Sequence, residues 1–249
     1  MNNKQTVVAT FAAVLLGCSA AVAAETPAET ALDAPTWEKT LKAMPKGTAE
    51  AGAKAHAAKM CAACHGADGT ASNDAWPTVS GQPAEATIKS LLDYRDGRRP
   101  GGPMGAMMVA SAKSLTDQDI ADLAAFYETK APVIDPNKKI AAVKDEAAAK
   151  RMVLQGDPAR TITPCAACHG YEASGNPNGD VPVLHGQNAG YLEATLKDYR
   201  SGKRSSDILS EMRFFAKKLT DEEIRDLALY YAAQKPALKA QAAAAPAQK

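Results

Sequence analysis

Cys61-Ala62-Ala63-Cys64-His65-Gly66 returns unchanged as Cys165-Ala166-Ala167-Cys168-His169-Gly170, 104 residues further on. Cys-x-x-Cys-His is the attachment pattern for a c-type haem. Two thiols on one face of a helical turn add to the vinyl groups of the porphyrin, and the adjoining imidazole supplies one axial nitrogen to the iron. The two copies use four of the five cysteines and two of the four histidines. A thioredoxin-like redox pair does not need the histidine and usually sits near a βαβ pattern, which this chain does not display. A zinc site would need both Cys-x-x-Cys pairs to converge on one ion. The spacing therefore predicts two covalently attached haem c groups, one through Cys61 and Cys64, the other through Cys165 and Cys168, with His65 and His169 as iron ligands.

Working outward, the repetition continues. Trp76-Pro77-Thr78-Val79-Ser80-Gly81-Gln82 is answered by Val181-Pro182-Val183-Leu184-His185-Gly186-Gln187. Ile88, Leu91, Leu92 and Arg95 fall at helical spacing, as do Leu192, Thr195, Leu196, Tyr199 and Arg200. Both segments end in Tyr-Arg-x-Gly, with Gly97 and Gly202 placed to close a helix. Each half then finishes on a helix that opens with a capping signal, Thr220 with Glu223 and, in weaker form, Thr116 with Asp119. Behind these, Ile120, Leu123, Phe126 and Tyr127 match Ile224, Leu227, Tyr230 and Tyr231 as an apolar face. No stretch reads as a strand, so the expected fold is all-α, a tandem duplication of one helical unit.

The repeat also selects a second axial ligand, for which methionine and histidine are the common choices. His65 to Met108 and His169 to Met212 both span 43 residues, and each Met stands seven residues before the Leu of its capping signal. Met104 and Met107 have no methionine counterpart in the second half. Met108 and Met212 are the expected ligands, with Met107 in reserve for the first haem; the alternative is that all are core-filling residues. His56 lies opposite Arg160 and His185 opposite Ser80, so neither recurs, and both read as surface or satisfied polar groups. His185 keeps one reservation, because its segment is expected to pass near the haem.

The 249 residues allow two domains of modest core, and with aromatics at only 5% a haem in each would supply missing apolar bulk. Lys4, the apolar run from Val7 to Gly17 and the small residues Ala21 to Ala24 read as a secretory signal peptide over residues 1–24, too short to remain as a membrane span. Leu15-Leu16-Gly17-Cys18 offers a competing reading, a lipoprotein box that would leave the chain lipid-anchored through Cys18. Without the first 24 residues the chain has 28 basic and 28 acidic residues. That balance points to neither nucleic acid nor an anionic membrane surface. Residues 25–47, with Pro27, Pro35 and Pro45 around Trp37, read as an extension of little structure. The expected units are then a first domain at 48–130, a Pro- and Lys-containing linker at 131–144, a second domain at 145–235 and a disordered tail at 236–249.

Taken together, the paired Cys-x-x-Cys-His, the Pro-x-x-x-Gly-Gln segments, the Tyr-Arg-x-Gly helix ends and the Met before Leu-Thr-Asp resemble the cytochrome c4 family, over roughly Thr48 to Gln234. The resemblance implies two fused class I cytochrome c domains related by a pseudo-twofold axis, with His/Met ligation in both. It implies that Pro77 and Pro182 offer backbone carbonyls to the ligand imidazoles. It implies a periplasmic carrier passing electrons from a membrane-bound donor complex or dehydrogenase toward a terminal oxidase, with peripheral membrane association left open. The longer N-terminal extension, the Ala/Pro tail and Pro100-Gly101-Gly102-Pro103 depart from that pattern.

Two functions follow from the chemistry. With thiols consumed as thioethers and both axial positions filled, the molecule is an electron carrier without catalysis of its own. The alternative is a dihaem oxidoreductase or the cytochrome subunit of a larger dehydrogenase, as in thiosulfate or sulfide oxidation. The enzyme would require an open or displaceable sixth position.

Overall fold

The computed structural model describes residues 32–99, 103–131, 139–176 and 179–235. The expected signal peptide, Cys18, residues 132–138 of the linker and the tail lie outside the described residues. Among those described, the elements are helical apart from one isolated bridge between Asp157 and Ile162. No described helix is long and apolar enough to cross a membrane.

The first domain contains α2 (Ala49–Ala58), α3 (Ala62–His65), α4 (Ala84–Arg95), α5 (Pro103–Ala112) and α6 (Asp117–Glu128). The second repeats the order as α7 (Glu146–Gln155), α8 (Ala166–His169), α9 (Ala189–Ser201), α10 (Glu211–Ala216) and α11 (Asp221–Ala233). Both closing helices carry complete capping boxes, so Thr116 with Asp119 is as fully formed as Thr220 with Glu223. Ile120, Leu123 and Phe126 enter one core, and Ile224, Leu227 and Tyr231 the other. Each such side chain contributes about 1.5–3 kcal/mol by leaving water.

Residues 32–47, the described part of the expected extension, differ from the sequence expectation. A helix, α1 (Ala34–Ala43), forms there, with Asp33 accepting from the Thr36 N–H as N-cap and Pro35 in the first turn, where its missing N–H costs nothing. Trp37 is buried in the core of the first domain, and Leu32, Leu41 and Met44 pack against that core.

The register between the halves also changes along the chain. Thr48 and Asp145 are the N-caps of α2 and α7, and the Thr48 and Asp145 N–H groups donate to the carboxylates of Asp122 and Asp226, themselves counterparts. This pairs Gly52 with Ala149 and His56 with Val153, in place of His56 with Arg160. The extra residues of the second half form a 3-10 turn, Pro158–Arg160, which Arg160 ties to Glu223 at 2.6 Å. Lys144, placed in the linker from sequence, also donates its N–H to Asp226 and so belongs with the second domain. At Gly52, α2 passes so close to α6 that a Cβ would stand 2.0 Å from the Asp122 carbonyl oxygen.

The domains join through reciprocal bonds. Gln187 accepts from the Thr78 N–H and donates to the Thr78 carbonyl, both at 2.8 Å. Gln82 makes the same pair with Val183, at 3.1 and 3.0 Å. The Ala86 N–H donates to the Gly179 carbonyl, and that of its counterpart Tyr191 donates to the Asp74 carbonyl. Residue i meeting j while the counterpart of j meets that of i is the signature of an isologous, twofold contact.

Candidate haem sites

Each Cys-x-x-Cys-His folds as one short helical turn, closed by a glycine with positive φ, Gly66 or Gly170. The turn sets the histidine against the domain interior and leaves Cys61, Cys64 and Cys165 half-buried and Cys168 exposed. None of the four is in a disulfide. His65 is 7% exposed and His169 9%. Each ring donates its Nδ1–H to a backbone carbonyl, Pro77 at 2.9 Å and Pro182 at 3.0 Å, which fixes ring orientation and leaves Nε2 as the lone-pair donor. Burial holds both imidazoles below their ordinary pKa, outweighing the opposite pull of the carbonyl, so the rings are neutral and ligand-competent.

The methionines come from α5 and α10. Met108 is half-buried and packs against the first core, whereas Met107 beside it is 49% exposed. Met212 is half-buried near the start of α10. Among the remaining histidines, His56 is a buried residue with both nitrogens satisfied, by Tyr127 Oη and by the Gly66 carbonyl, each at 2.8 Å. His185 is half-buried, and its N–H donates to the Ala173 carbonyl.

The repeat applied to arginines would have exposed a further feature. Arg99 and Arg204 are counterparts, and each lies over a tyrosine ring of its own domain, Tyr94 at 4.5 Å and Tyr199 at 4.4 Å. Arg99 is 6% exposed and donates to Tyr191 Oη, while Arg204 Nε is buried with no hydrogen-bond partner among the described residues. Burial would raise the phenol of Tyr191, but Arg99 and Arg204 overcome it and draw the pKa down to about 8. A buried Arg99 and a half-buried Arg204, each with a tyrosine for company, fit a group that brings its own carboxylates, as the propionates of haem do. The donor set fits too: free thiol pairs and neutral imidazoles, with no cluster of three or more His, Cys, Asp or Glu side chains able to hold a bare metal ion among the described residues.

The cytochrome c family model matches residues 49–130 and 161–233. Cytochrome c4 of Thiocapsa roseopersicina is 34% identical over 187 residues, covering 74% of this chain and 91% of that protein. A thiosulfate dehydrogenase electron acceptor of Thiomonas intermedia is 35% identical over 181 residues, covering 71% and 79%. The crystal structure of reduced cytochrome c4 from Pseudomonas stutzeri superposes with a TM-score of 0.67 at 30% identity, over 76% of this chain and all of that one. Two thiol-pair motifs, two held imidazoles and one twofold contact thus meet the sequence relationships at the same point: the chain belongs to the cytochrome c4 family, a tandem pair of class I cytochrome c domains with two covalently bound haem c groups, and it is an electron-transfer protein.

Proposed function

We propose that His65 with Met108 and His169 with Met212 are the axial pairs, with Cys61, Cys64, Cys165 and Cys168 forming the thioethers. The chain then serves as an exported, periplasmic carrier that accepts electrons from a dehydrogenase or membrane-bound donor and delivers them toward a terminal oxidase. The observation that carries this reading is the duplicated imidazole-to-proline hydrogen bond, which leaves one nitrogen free on each neutral ring.

Bound haem supplies a one-electron couple, and a sulfur ligand favours the reduced state relative to a second imidazole. The Pro77 and Pro182 carbonyls retain the Nδ1 proton and stop the rings from turning. Packing of Met108 against the core limits its thioether to one approach. The cysteines anchor the group at one edge, so that neither domain loses it between encounters. With His65, Met108, His169 and Met212 as ligands, each iron would have no position open to substrate, in keeping with a carrier. A dehydrogenase as the donor is favoured by the relatives named thiosulfate dehydrogenase electron acceptor.

The test is spectroscopic. Oxidised protein should show sulfur-to-iron charge-transfer absorption equivalent to two low-spin haems, and Met108→Leu and Met212→Leu should each remove about half. If Met108→Leu leaves the absorption intact while Met107→Leu halves it, the first ligand is reassigned. Rapid binding of cyanide by the unsubstituted protein would instead favour an enzyme.

A further inference from the structure

The peptide group between Pro77 and Thr78 is used at both ends. Its carbonyl accepts from His65 Nδ1, and its N–H donates to Oε1 of Gln187, which belongs to the other domain. The peptide between Pro182 and Val183 is used in the same way: the carbonyl accepts from His169, and the N–H donates to Oε1 of Gln82. Each imidazole is thus one peptide away from a glutamine across the interface. The arrangement is built twice: in the first copy the glutamine contact is enclosed, with Gln187 5% exposed and Thr78 7%, and in the second Gln82 and Val183 are half-buried.

We propose that Gln187 and Gln82 are cross-domain positioning residues, each setting the reduction potential of the haem held by the opposite domain. The inference rests on the proposed ligation by His65 and His169. An acceptor at the N–H end of an amide increases the negative charge on its carbonyl oxygen, because hydrogen bonds in a chain polarise one another. A more basic Pro77 carbonyl draws the Nδ1 proton of His65 more strongly, and the ring gains electron density at Nε2. A richer nitrogen donor stabilises the oxidised iron and lowers the potential. Gln187 therefore holds the first haem lower than it would otherwise stand, and Gln82 does so for the second.

The unusual consequence is that a substitution in one domain acts in the other. Gln187→Met keeps length and bulk but removes the acceptor. It should raise the potential of the first haem and move its His65 Nδ1–H proton resonance upfield, the mark of a weakened hydrogen bond, while the second haem stays where it was. Gln82→Met should do the converse. Potentials are read by spectroelectrochemical titration of the holoprotein, with haem-methyl resonances assigning each couple to its domain. A general loosening of the interface would move both couples in either variant, and that result overturns the proposal. So does a shift confined to the domain that carries the substitution, or no shift at all. Gln187→Asn, polar but one carbon short, is the second variant should the Met form fail to assemble, and the same first-haem rise is expected. Charge-transfer absorption equal to two haems in every variant shows that ligation is intact, so failure here is separable from failure of the proposed axial pairs.

Discussion

Helices α4 and α9 are copies in register, Tyr94-Arg95 against Tyr199-Arg200, yet their outer faces have opposite chemistry. Ile88 and Leu92, 8% and 2% exposed, stand where α9 carries Glu193 and Lys197. The latter two form an i,i+4 ion pair at a partly solvated surface. The reason is α1, which brings Trp37 into one core with Ile88 and Leu92. It lies outside both segments matched by the family model. The difference teaches that the two copies share the Cys-x-x-Cys-His turns and the twofold contact, while the face away from them differs, here because one copy is covered by a helix. A second divergence sits behind the motif: His56 bridges Tyr127 and Gly66 in the first domain, where the second has the apolar Val153 and no such bridge to Tyr231.

The comparison can be broken most forcefully by making α4 resemble α9. Leu92→Lys places a charge in a sealed core and should destabilise the first domain by about 4 kcal/mol, read as an early transition in denaturant. Trp37→Ala leaves the face intact but removes what covers it, with an expected loss of about 3 kcal/mol confined to the same transition. The reverse exchange, Lys197→Leu, removes only a partly screened pair and should change the second domain by no more than about 0.5 kcal/mol. If it costs as much as Trp37→Ala, the two faces are not chemically distinct in the way described.

A smaller effect separates the domains by pH. The Arg160 guanidinium, through its hydrogen bond, holds the Glu223 carboxyl below its ordinary value of 4.5. A depressed folded-state pKa stabilises the protein above the unfolded value and loses that contribution as pH falls through the folded one. Arg160→Ala should therefore weaken the second domain by about 0.5 kcal/mol at neutral pH, and the deficit should disappear well below pH 4.5. The first-domain counterpart, Asp119, is lowered chiefly by the Thr116 backbone N–H, so the first domain should keep its own acid sensitivity unchanged in the Arg160→Ala variant.

Much of the fold was legible because repetition marks it. Cys-x-x-Cys-His and the paired capping signals each appear twice, and coincidence of two divergent halves marks elements that one copy leaves ambiguous. The helix α1 was hidden because its stability comes from Trp37 docking on distant residues, while Pro27, Pro35 and Pro45, of which only Pro35 lies in the helix, read locally as a segment of little structure. The shifted register of α2 and α7 was hidden because Ala-rich helices lack landmarks and the compensating turn at Pro158–Arg160 follows them. The interface showed only as the recurrence of Gln82 and Gln187, without their partners, since both speak to backbone groups, whose position depends on the fold and not on side-chain pattern.

Reductive titration of the fully oxidised holoprotein, followed at the sulfur-to-iron charge-transfer absorption, tests the central claim most directly. Two equivalent axial environments predict complete loss of that absorption after two electrons per chain, in two one-electron steps of similar amplitude. Complete loss after one electron, or uptake of the second with no change in absorption, would mean that one iron lacks its methionine and would contradict the account.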